Sequence, residues 1–211
     1  MPSQRLLTLA SLCPTTGPLL DVGSDHGHLL KILFQQGFAF PLYGSELTLS
    51  SFQSLKKSVE DFPFTIYQAN GLQDLPKGIT TIVIAGMGGL LMVEILTQGL
   101  IALKTIQHLV LGPQRDAHHL RHWLADHGWQ IREERFVLEG NQGYPLLVAS
   151  PGKMVLTDIE ARYGPRLIAL RDPGLLSWLS EEKLALANAL SFRHDHDKQT
   201  RLEWIEHYVK N

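Results

Sequence analysis

The sequence is poor in features that would assign it to several common classes of protein. It contains one cysteine, Cys13, among 211 residues, which excludes an internal disulfide and is typical of a reducing compartment. It has no apolar run of membrane-spanning length, so we expect no membrane segment. Its first residues carry one arginine and a short apolar stretch broken by Pro14, without a signal-peptide cleavage site, so we expect a cytoplasmic location.

An excess of one sign of charge is also missing. The chain has 19 Lys and Arg against 21 Asp and Glu, a net charge of −2, so the chain as a whole is not predicted to bind nucleic acid. This balance still allows a local basic patch. A hydrophobic content of 44% indicates a globular protein, and 211 residues suffice for one full domain with a small appendage.

Patterns of metal ligands are scarce as well. His118, His119 and His122 fall on one predicted helix, at spacings that a metal site could use. No matching set of carboxylates or cysteines supports such a site. We therefore interpret the three histidines as a solvated helix face and predict no metal.

What the sequence does contain is LLDVGSDHGHLL, residues 19–30. The order is a buried strand, a carboxylate, a turn with two glycines and a helix start, which builds a nucleotide-like pocket at the carboxyl edge of a parallel sheet. Gly23 and Gly27 allow the backbone to approach a ligand closely. Because Asp21 and Asp25 would repel a pyrophosphate, a positively charged cofactor such as S-adenosylmethionine fits better. Alternatively, this strand that ends in Asp-x-Gly is followed by an ordinary turn without a ligand.

The order of apolar runs and turns predicts an α/β fold with a parallel sheet between helices. Five short apolar runs, each closed by turn residues, alternate with stretches of helical periodicity. The strands are predicted at residues 19–22, 42–45, 64–68, 81–85 and 109–111, and the helices at residues 5–12, 28–36, 49–61, 89–97 and 116–127.

Two further strand-like runs, residues 131–138 and 144–149, are joined by EGNQG and predict a hairpin. A hairpin that closes such a sheet with an antiparallel strand is typical of class I methyltransferases and atypical of dinucleotide-binding folds. After Gly152 the apolar spacing is helical, which predicts a small helical appendage, with an antiparallel hairpin as one arrangement. The predicted domains are residues 1–152 and 153–211.

Candidate binding residues follow the strands, because ligands of such sheets bind outside the carboxyl ends. Glu46 lies 25 residues beyond Asp21, near the usual spacing of an acid that binds ribose hydroxyls. Asn70 and Gly71 follow the third strand, where the amide oxygen can accept the amino group of an adenine. Alternatively, Glu46 is an acidic residue in a surface turn, and Asn70 and Gly71 only form a turn.

The run IAGMGG, residues 84–89, is more distinctive. Its glycines leave bare backbone beside the place where a methyl group would be transferred, and Met87 would shape the wall. The alternative is a helix entry that needs close packing. For His26, beside the first turn, an orienting role toward substrate and a turn-capping role stay equally open.

Five motifs, taken in order, resemble the TrmK family of tRNA (adenine-22-N1)-methyltransferases. They are LDVGSDHGHL, GSEL, NGL, IAGMGG and GYPLLVAS. The resemblance runs from about Arg5 to the C-terminus and is strongest up to Ser150. It implies a Rossmann-like class I methyltransferase domain, with a seven-stranded mostly parallel sheet, followed by a small helical, coiled-coil-like domain.

The resemblance also implies a cofactor, a reaction and a partner. The cofactor is S-adenosylmethionine, the reaction is methylation of adenine N1, and the partner is tRNA, bound by a protein that we expect to be a monomer. Candidates for holding the base are Asp25, His26 and Gln114. Phosphate contacts are expected from five arginines: Arg115, Arg121, Arg162, Arg166 and Arg171. The alternative for each of them is a surface cation without a role in RNA binding. Residues implied in cofactor binding are Asp21, Gly23, Ser24, Asp25, Glu46, Leu47, Asn70, Gly71, Ala85, Gly86, Met87, Gly88 and Gly89.

Two positions depart from the usual pattern of that family. Gly112-Pro113-Gln114 stands where the family usually has Gln-Pro-Asn, and Asn70 stands where it usually has Asp. The first departure lies where the target base should dock. Two other functions therefore stay open: methylation of another RNA site or a small molecule, and RNA binding without catalysis.

Overall fold

The computed structural model describes residues 2–192 and 194–210, and within them seven strands form one sheet. The strands are β1 (Leu19–Val22), β2 (Leu42–Glu46), β3 (Thr65–Gln68), β4 (Thr81–Ala85), β5 (His108–Gly112), β6 (Trp129–Glu139) and β7 (Gln142–Pro151). Their order across the sheet is β3-β2-β1-β4-β5-β7-β6. Neighbours from β3 to β5 run parallel, and β7 runs antiparallel to both β5 and β6. The predicted class I methyltransferase sheet is confirmed.

Helices precede, connect and follow the strands. They are α1 (Gln4–Ser11), α2 (His28–Gln35), α3 (Leu49–Ser58), α4 (Gly89–Gln98), α5 (Ala117–Asp126), α6 (Asp158–Tyr163), α7 (Pro165–Ala169), α8 (Pro173–Phe192) and α9 (His196–Lys210). A short 3-10 helix at Ala102–Thr105, which the pattern did not predict, precedes β5. Across the described residues, no helix combines the length and apolarity needed to cross a membrane.

The central strands are buried on both faces because helices cover both sides of the sheet. Ile82 and Ile84 of β4 belong to one apolar cluster with Leu96 of α4. Val83, between them, belongs to a second cluster with Leu9 of α1. This two-sided burial explains why the central strands are continuous apolar runs rather than alternating ones.

The register places the ends of the parallel strands at one edge. Val22, the last residue of β1, is paired with Ser45 of β2 and with Ile84 of β4. Ala85, the last residue of β4, is paired with Gly112, the last residue of β5. The turns that follow these strands therefore lie side by side, which is where the predicted binding residues were expected.

The C-terminal region is helical, as predicted. Helices α8 and α9 run antiparallel, and the Nζ of Lys183 lies 3.2 Å from a carboxylate oxygen of Glu206 across their interface. Leu179 and Ile205 are buried in the cluster that holds these two helices together. The division into domains at residues 152 and 153 stays a prediction.

A buried ion pair joins the sheet to this helical region. The side chains of Arg121 on α5 and Glu134 on β6 are 1% and 0% exposed, with Nε and Oε1 2.9 Å apart. Arg121 also donates from Nη1 to the carbonyl oxygens of Ala161 and Arg162 in the last turn of α6. The second oxygen of Glu134 accepts the amide of Arg166 at the start of α7.

The ion pair thus supplies partners for groups that helix ends leave unpaired: carbonyl oxygens at the end of α6 and an N–H at the start of α7. Gly164 connects the two helices directly beside it, and a Cβ there would lie 2.8 Å from Glu134 Oε2. The prediction that Arg121 contacts phosphate is wrong, because its guanidinium is enclosed by protein and neutralised by Glu134.

Candidate functional site

A cavity of about 730 Å³ opens at the carboxyl edge of the sheet. It lies between the ends of β1, β4 and β5 and the helices α1 and α2. The turn after β1 and the end of β4, distant in sequence, both contribute to its wall. Six of the predicted site residues line it: Asp21, Gly23, Ser24, Asp25, Ala85 and Gly86.

Asp21 is a buried acid at the floor of this cavity. The residue is 5% exposed. Burial raises the pKa of its carboxyl to about 7; the nearby charge of Glu46 adds to the rise, and a hydrogen bond from the Ser24 side chain opposes it. Because a bound cation would favour the ionised carboxylate, the floor of the cavity is suited to a positively charged ligand.

The turn after β1 is held from two directions. The amides of Gly23 and Ser24 both donate to the carbonyl oxygen of Ser45, at 2.9 and 3.2 Å. On the other side, a Cβ at Gly23 would collide with the methyl group of Met87, and Gly23 has a φ of +71°. Glycine at this position therefore lets the loop after β4 close over the loop after β1.

Glu46 and Leu47 lie at the end of β2, beside the cavity lining. Oε1 of Glu46 accepts the amide N–H of Asp25 at 2.5 Å, which ties the turn after β1 to β2. The carbonyl oxygen of Leu47 accepts from the Gln68 side chain at 3.0 Å. A carboxylate is thus placed at the expected strand end, while its contact with a ribose stays a prediction.

Asn70 and Gly71 form a turn after β3. The carbonyl oxygen of Asn70 accepts the amide of Gln73 at 3.2 Å, and the Asn70 residue is exposed. Gly71 has a φ of +59° and lies against Ile95 of α4. The turn-forming interpretation accounts for the glycine, and the adenine contact of Asn70 stays a prediction.

The last two glycines of IAGMGG pack against the loop after β5. The amide of Gly89 donates to the carbonyl oxygen of Arg115 at 2.8 Å. A Cβ on Gly89 would lie 2.3 Å from the carbonyl oxygen of Asp116, whereas one on Gly88 would meet the Arg115 side chain at 3.2 Å. Close packing at the entry to α4 therefore accounts for Gly89, and its cofactor contact stays a prediction.

Replacing Gly89 with alanine is expected to lower the free energy of unfolding by about 2 kcal/mol, because the collision is with fixed backbone. Gly88→Ala is the matched control: its φ is −71°, and only the flexible Arg115 side chain has to move. We expect it to cost less than about 1 kcal/mol. Urea denaturation of both variants checks this, and equal losses would contradict the packing argument.

The three candidates for holding the base are separated in the structure. Asp25 lines the cavity with a side chain that is 79% exposed. His26 is exposed outside the lining, with Nε2 3.6 Å from a carboxylate oxygen of Asp25. The amide of Gln114 donates to the carbonyl oxygen of Met87 at 2.9 Å, and Gln114 lines a second cavity. Asp25 is therefore the best placed of the three.

His28 flanks the predicted pocket, whereas Lys31, Gln35 and Arg5, which also line the cavity, were not predicted as part of it. His28, Lys31 and Gln35 occupy one face of α2, at spacings of three and four residues, and all three line the cavity. Arg5 of α1 lines it from the opposite side, with its guanidinium carbon 4.4 Å from the centroid of the Tyr144 ring. The helical spacing of the polar residues in α2 was the signal that could have revealed this wall.

The remaining arginines predicted to contact phosphate differ in their freedom. The Arg115 side chain is 82% exposed, with its Nε 3.6 Å from a carboxylate oxygen of Asp116. Nη2 of Arg162 lies 3.3 Å from a carboxylate oxygen of Asp197. Arg166 and Arg171 donate to main-chain carbonyl oxygens at 3.1 and 3.0 Å, so each also stabilises packing. Their contacts with RNA stay predictions.

The histidines of α5 are not equivalent. His119 and His122 are exposed, as a solvated face requires, whereas His118 is half-buried. Burial lowers the pKa of His118, and the neighbouring positive charges lower it further. Among the described residues, no group of three His, Cys, Asp or Glu side chains is arranged to hold a metal ion.

The pattern of one family, described as tRNA (adenine(22)-N(1))-methyltransferase, matches residues 19–210 of this sequence. The chain belongs to the TrmK family. The match takes in the strand-end motifs, the sheet and the helical C-terminal region together, so both parts of the chain are family features.

Individual relatives agree with this assignment. The tRNA (adenine(22)-N(1))-methyltransferase of Bacillus subtilis (strain 168) is 34% identical over 155 residues, which cover 71% of this chain and 65% of that protein. The aligned segment is thus less than two thirds of that relative.

Solved structures resemble the whole chain. Streptococcus pneumoniae Sp1610, a candidate tRNA (m1A22) methyltransferase, is 32% identical and superposes with a TM-score of 0.91 over 99% of this chain and 100% of that chain. The same protein in complex with S-adenosyl-L-methionine gives a TM-score of 0.88 with the same coverage and identity. The arrangement of the sheet and of the C-terminal helices is therefore shared over 99% of this chain.

Proposed function

We propose that this TrmK chain uses S-adenosylmethionine to methylate N1 of adenine 22 in tRNA. The observation that carries the proposal is the buried carboxylate of Asp21 at the floor of a cavity of about 730 Å³. That carboxylate stands at the end of β1 in the sheet order of class I methyltransferases. Family membership supplies the position and the RNA.

The residues at this edge fit S-adenosylmethionine. Its sulfonium and ammonium groups are positive, and the cavity offers the carboxylate of Asp21 at its floor and that of Asp25 at its mouth. Gly23, with its φ of +71°, lines the cavity without a side chain of its own. Glu46 and Asn70 follow the neighbouring strands, where we assign them to the ribose hydroxyls and the adenine.

When bound, S-adenosylmethionine supplies an electrophilic methyl group. Asp21 stabilises positive charge at the floor, and Asp25 at the mouth is our candidate for orienting the acceptor base. Apolar side chains from α1, α2 and β7 exclude water from the space between them. They are Leu6, Leu9, Leu29, Ile32 and Leu146.

The acceptor chemistry explains why the cavity needs no dedicated general base. N1 of a neutral adenine has an in-plane lone pair and carries no proton that must be removed. The enzyme therefore has to align N1 and exclude water, and positioning supplies the rate enhancement. A base-paired N1 is inaccessible, so the adenine has to be unpaired or turned out of its stack.

A tRNA substrate also requires contacts to its phosphates, and the protein has to be in the compartment that contains tRNA. We assign the contacts to cations at the rim of the cavity, Arg5 and Lys31, together with the exposed Arg115. We place the protein in the cytoplasm and propose that it acts as a monomer.

Nucleoside analysis of the product tests the reaction. The purified protein is incubated with S-adenosylmethionine and unmodified tRNA, and the digested RNA is examined by mass spectrometry. We expect 1-methyladenosine, lost with Asp21→Ala and retained with Asp61→Ala, which removes an exposed acid after α3. A different methylated nucleoside would favour another RNA site, and RNA binding without cofactor binding would favour a non-catalytic module.

A further inference from the structure

A second cavity, of about 320 Å³, lies between the edge of the sheet and the C-terminal helices. The loop after β5, the β6–β7 hairpin, α6 and the facing sides of α8 and α9 form its walls. We propose that this cavity binds one nucleotide of the tRNA, a few positions along the strand from the methylated adenine. The proposal rests on the proposed function and adds a second contact point for the RNA.

One wall is aromatic. The rings of Phe136 on β6 and Trp178 on α8 line the cavity with their centroids 5.6 Å apart and their planes at 53°. Both residues are half-buried, so each keeps an accessible ring surface. Gly143, on the facing strand, has no side chain where a Cβ would collide with Phe136. Aromatic surfaces of this kind bind unpaired nucleobases by stacking.

The facing wall is cationic. Arg115, Arg162 and Arg201 come from three separate parts of the chain and all line the cavity. Arg162 is paired with the exposed Asp197, and Arg201 contacts both Asp197 and Glu182. These pairs hold two of the guanidinium groups in place, while the Arg115 side chain is 82% exposed and lies with its Nε 3.6 Å from a carboxylate oxygen of Asp116, which also lines the cavity. Fixed guanidinium groups beside an aromatic surface suit a phosphate next to a stacked base.

One residue of the lining, Glu182, also carries a hydrogen-bond acceptor without a partner. The Glu182 side chain is 9% exposed; one of its oxygens pairs with Arg201. The other, Oε2, is buried and has no hydrogen-bond partner in the part of the chain that the structure describes. Such a group is costly unless a donor reaches it. The exocyclic amino group of adenine, cytosine or guanine is such a donor, and uracil lacks it.

The two cavities are close enough for one RNA strand to occupy both. Gly112 lines the first cavity, and the next four residues, 113–116, line the second. Five consecutive residues span at most about 15 Å. The loop is fixed to the methyl-transfer side by the hydrogen bond from the Gln114 amide to Met87. A few nucleotides bridge this distance.

Kinetics with Trp178 variants test the second site. We expect Trp178→Ala to raise the KM for tRNA about tenfold, because base stacking on one aromatic residue contributes an effect of that order. The dissociation constant for S-adenosylmethionine, measured by calorimetry, should not change. Trp178→Phe keeps an aromatic surface and should recover most of the loss.

Phe192→Ala is the control. Phe192 is an aromatic residue on the same helix as Trp178, is 91% exposed and lies outside the lining of the cavity. We expect its replacement to leave the KM for tRNA unchanged. An unchanged KM in Trp178→Ala, or an equal rise in Phe192→Ala, would overturn the second site.

Arg115→Gln gives an independent readout if Trp178→Ala does not fold. Replacing this exposed arginine should reduce the slope of log K for tRNA binding against log salt concentration by about one. An unchanged slope would overturn the phosphate contact of Arg115. If the wild type binds tRNA but leaves it unmethylated, the proposed function fails, and the binding data still decide whether this cavity holds a nucleotide.

Discussion

Asp21→Asn is expected to weaken S-adenosylmethionine binding at pH 8 by at least about tenfold, because a neutral amide replaces the charge opposite a cationic ligand. The wild-type affinity should itself rise about tenfold from pH 6 to pH 8. The reason is that the carboxyl has a pKa of about 7, and the ionised form is the one that favours a cation. Calorimetry at three pH values measures both effects.

The asparagine variant isolates the contribution of Asp21 from those of the other residues that line the cavity. His28 lines the same cavity and is present in both proteins, so a pH dependence that persists in Asp21→Asn belongs to another group. A wild-type affinity that does not vary between pH 6 and pH 8, or a variant that binds as tightly as the wild type, would contradict the role of Asp21.

The same substitution has an effect that needs no ligand. The pKa of Asp21 in the folded protein is raised from 3.8 to about 7, so the folded state holds its proton more tightly than the unfolded state. Its contribution to stability is complete below about pH 4 and is lost as the pH rises through 7. Asp21→Asn should therefore be more stable than the wild type at pH 8, with a difference that shrinks toward pH 4.

Arg121→Ala is expected to lower the free energy of unfolding by about 3–5 kcal/mol, because it leaves the charge of Glu134 buried and unpaired. It also removes donors from two carbonyl oxygens at the end of α6. The double variant Arg121→Met with Glu134→Leu should recover much of this loss, because both charges leave the interior together. Chemical denaturation of the single and double variants measures the difference.

A second ion pair on the same strand is the control. Nη2 of Arg135 and Oε1 of Glu133, both on β6, lie 2.6 Å apart, but the two side chains are 49% and 42% exposed. Arg135→Ala should cost less than about 1 kcal/mol, as exposed pairs do. If Arg121→Ala costs no more than Arg135→Ala, the buried pair does not join the sheet to the helical region in the way described.

The sheet and the strand-end motifs could be predicted because their signals are local. Buried parallel strands are continuous apolar runs, and turns with Gly, Asp or Asn close each one. Asp21, Gly23, Ser24, Asp25, Ala85 and Gly86 therefore line one cavity, as expected. Lys31 and Gln35 of α2 were not predicted, because polar residues at helical spacing also occur on any solvated helix face.

The buried ion pair could not be predicted for a geometric reason. Strand alternation from Ile131 would bury Glu133, but a register shift between these two residues places Glu134 inward instead. Arg121 is next to the apolar residues of α5, and nothing local shows that its partner arrives from a strand 13 residues later. Only the folded chain reveals why this arginine cannot reach RNA.

Methyl transfer to a pair of tRNA transcripts decides whether this chain methylates adenine 22 of tRNA. The two transcripts differ at position 22, which carries adenine in one and guanine in the other, and the cofactor carries a labelled methyl group. We expect incorporation into the adenine transcript, mapped to N1 of that base, and none above background into the guanine transcript. Equal labelling of both transcripts, or no labelling of either by a protein that binds S-adenosylmethionine, would contradict this function.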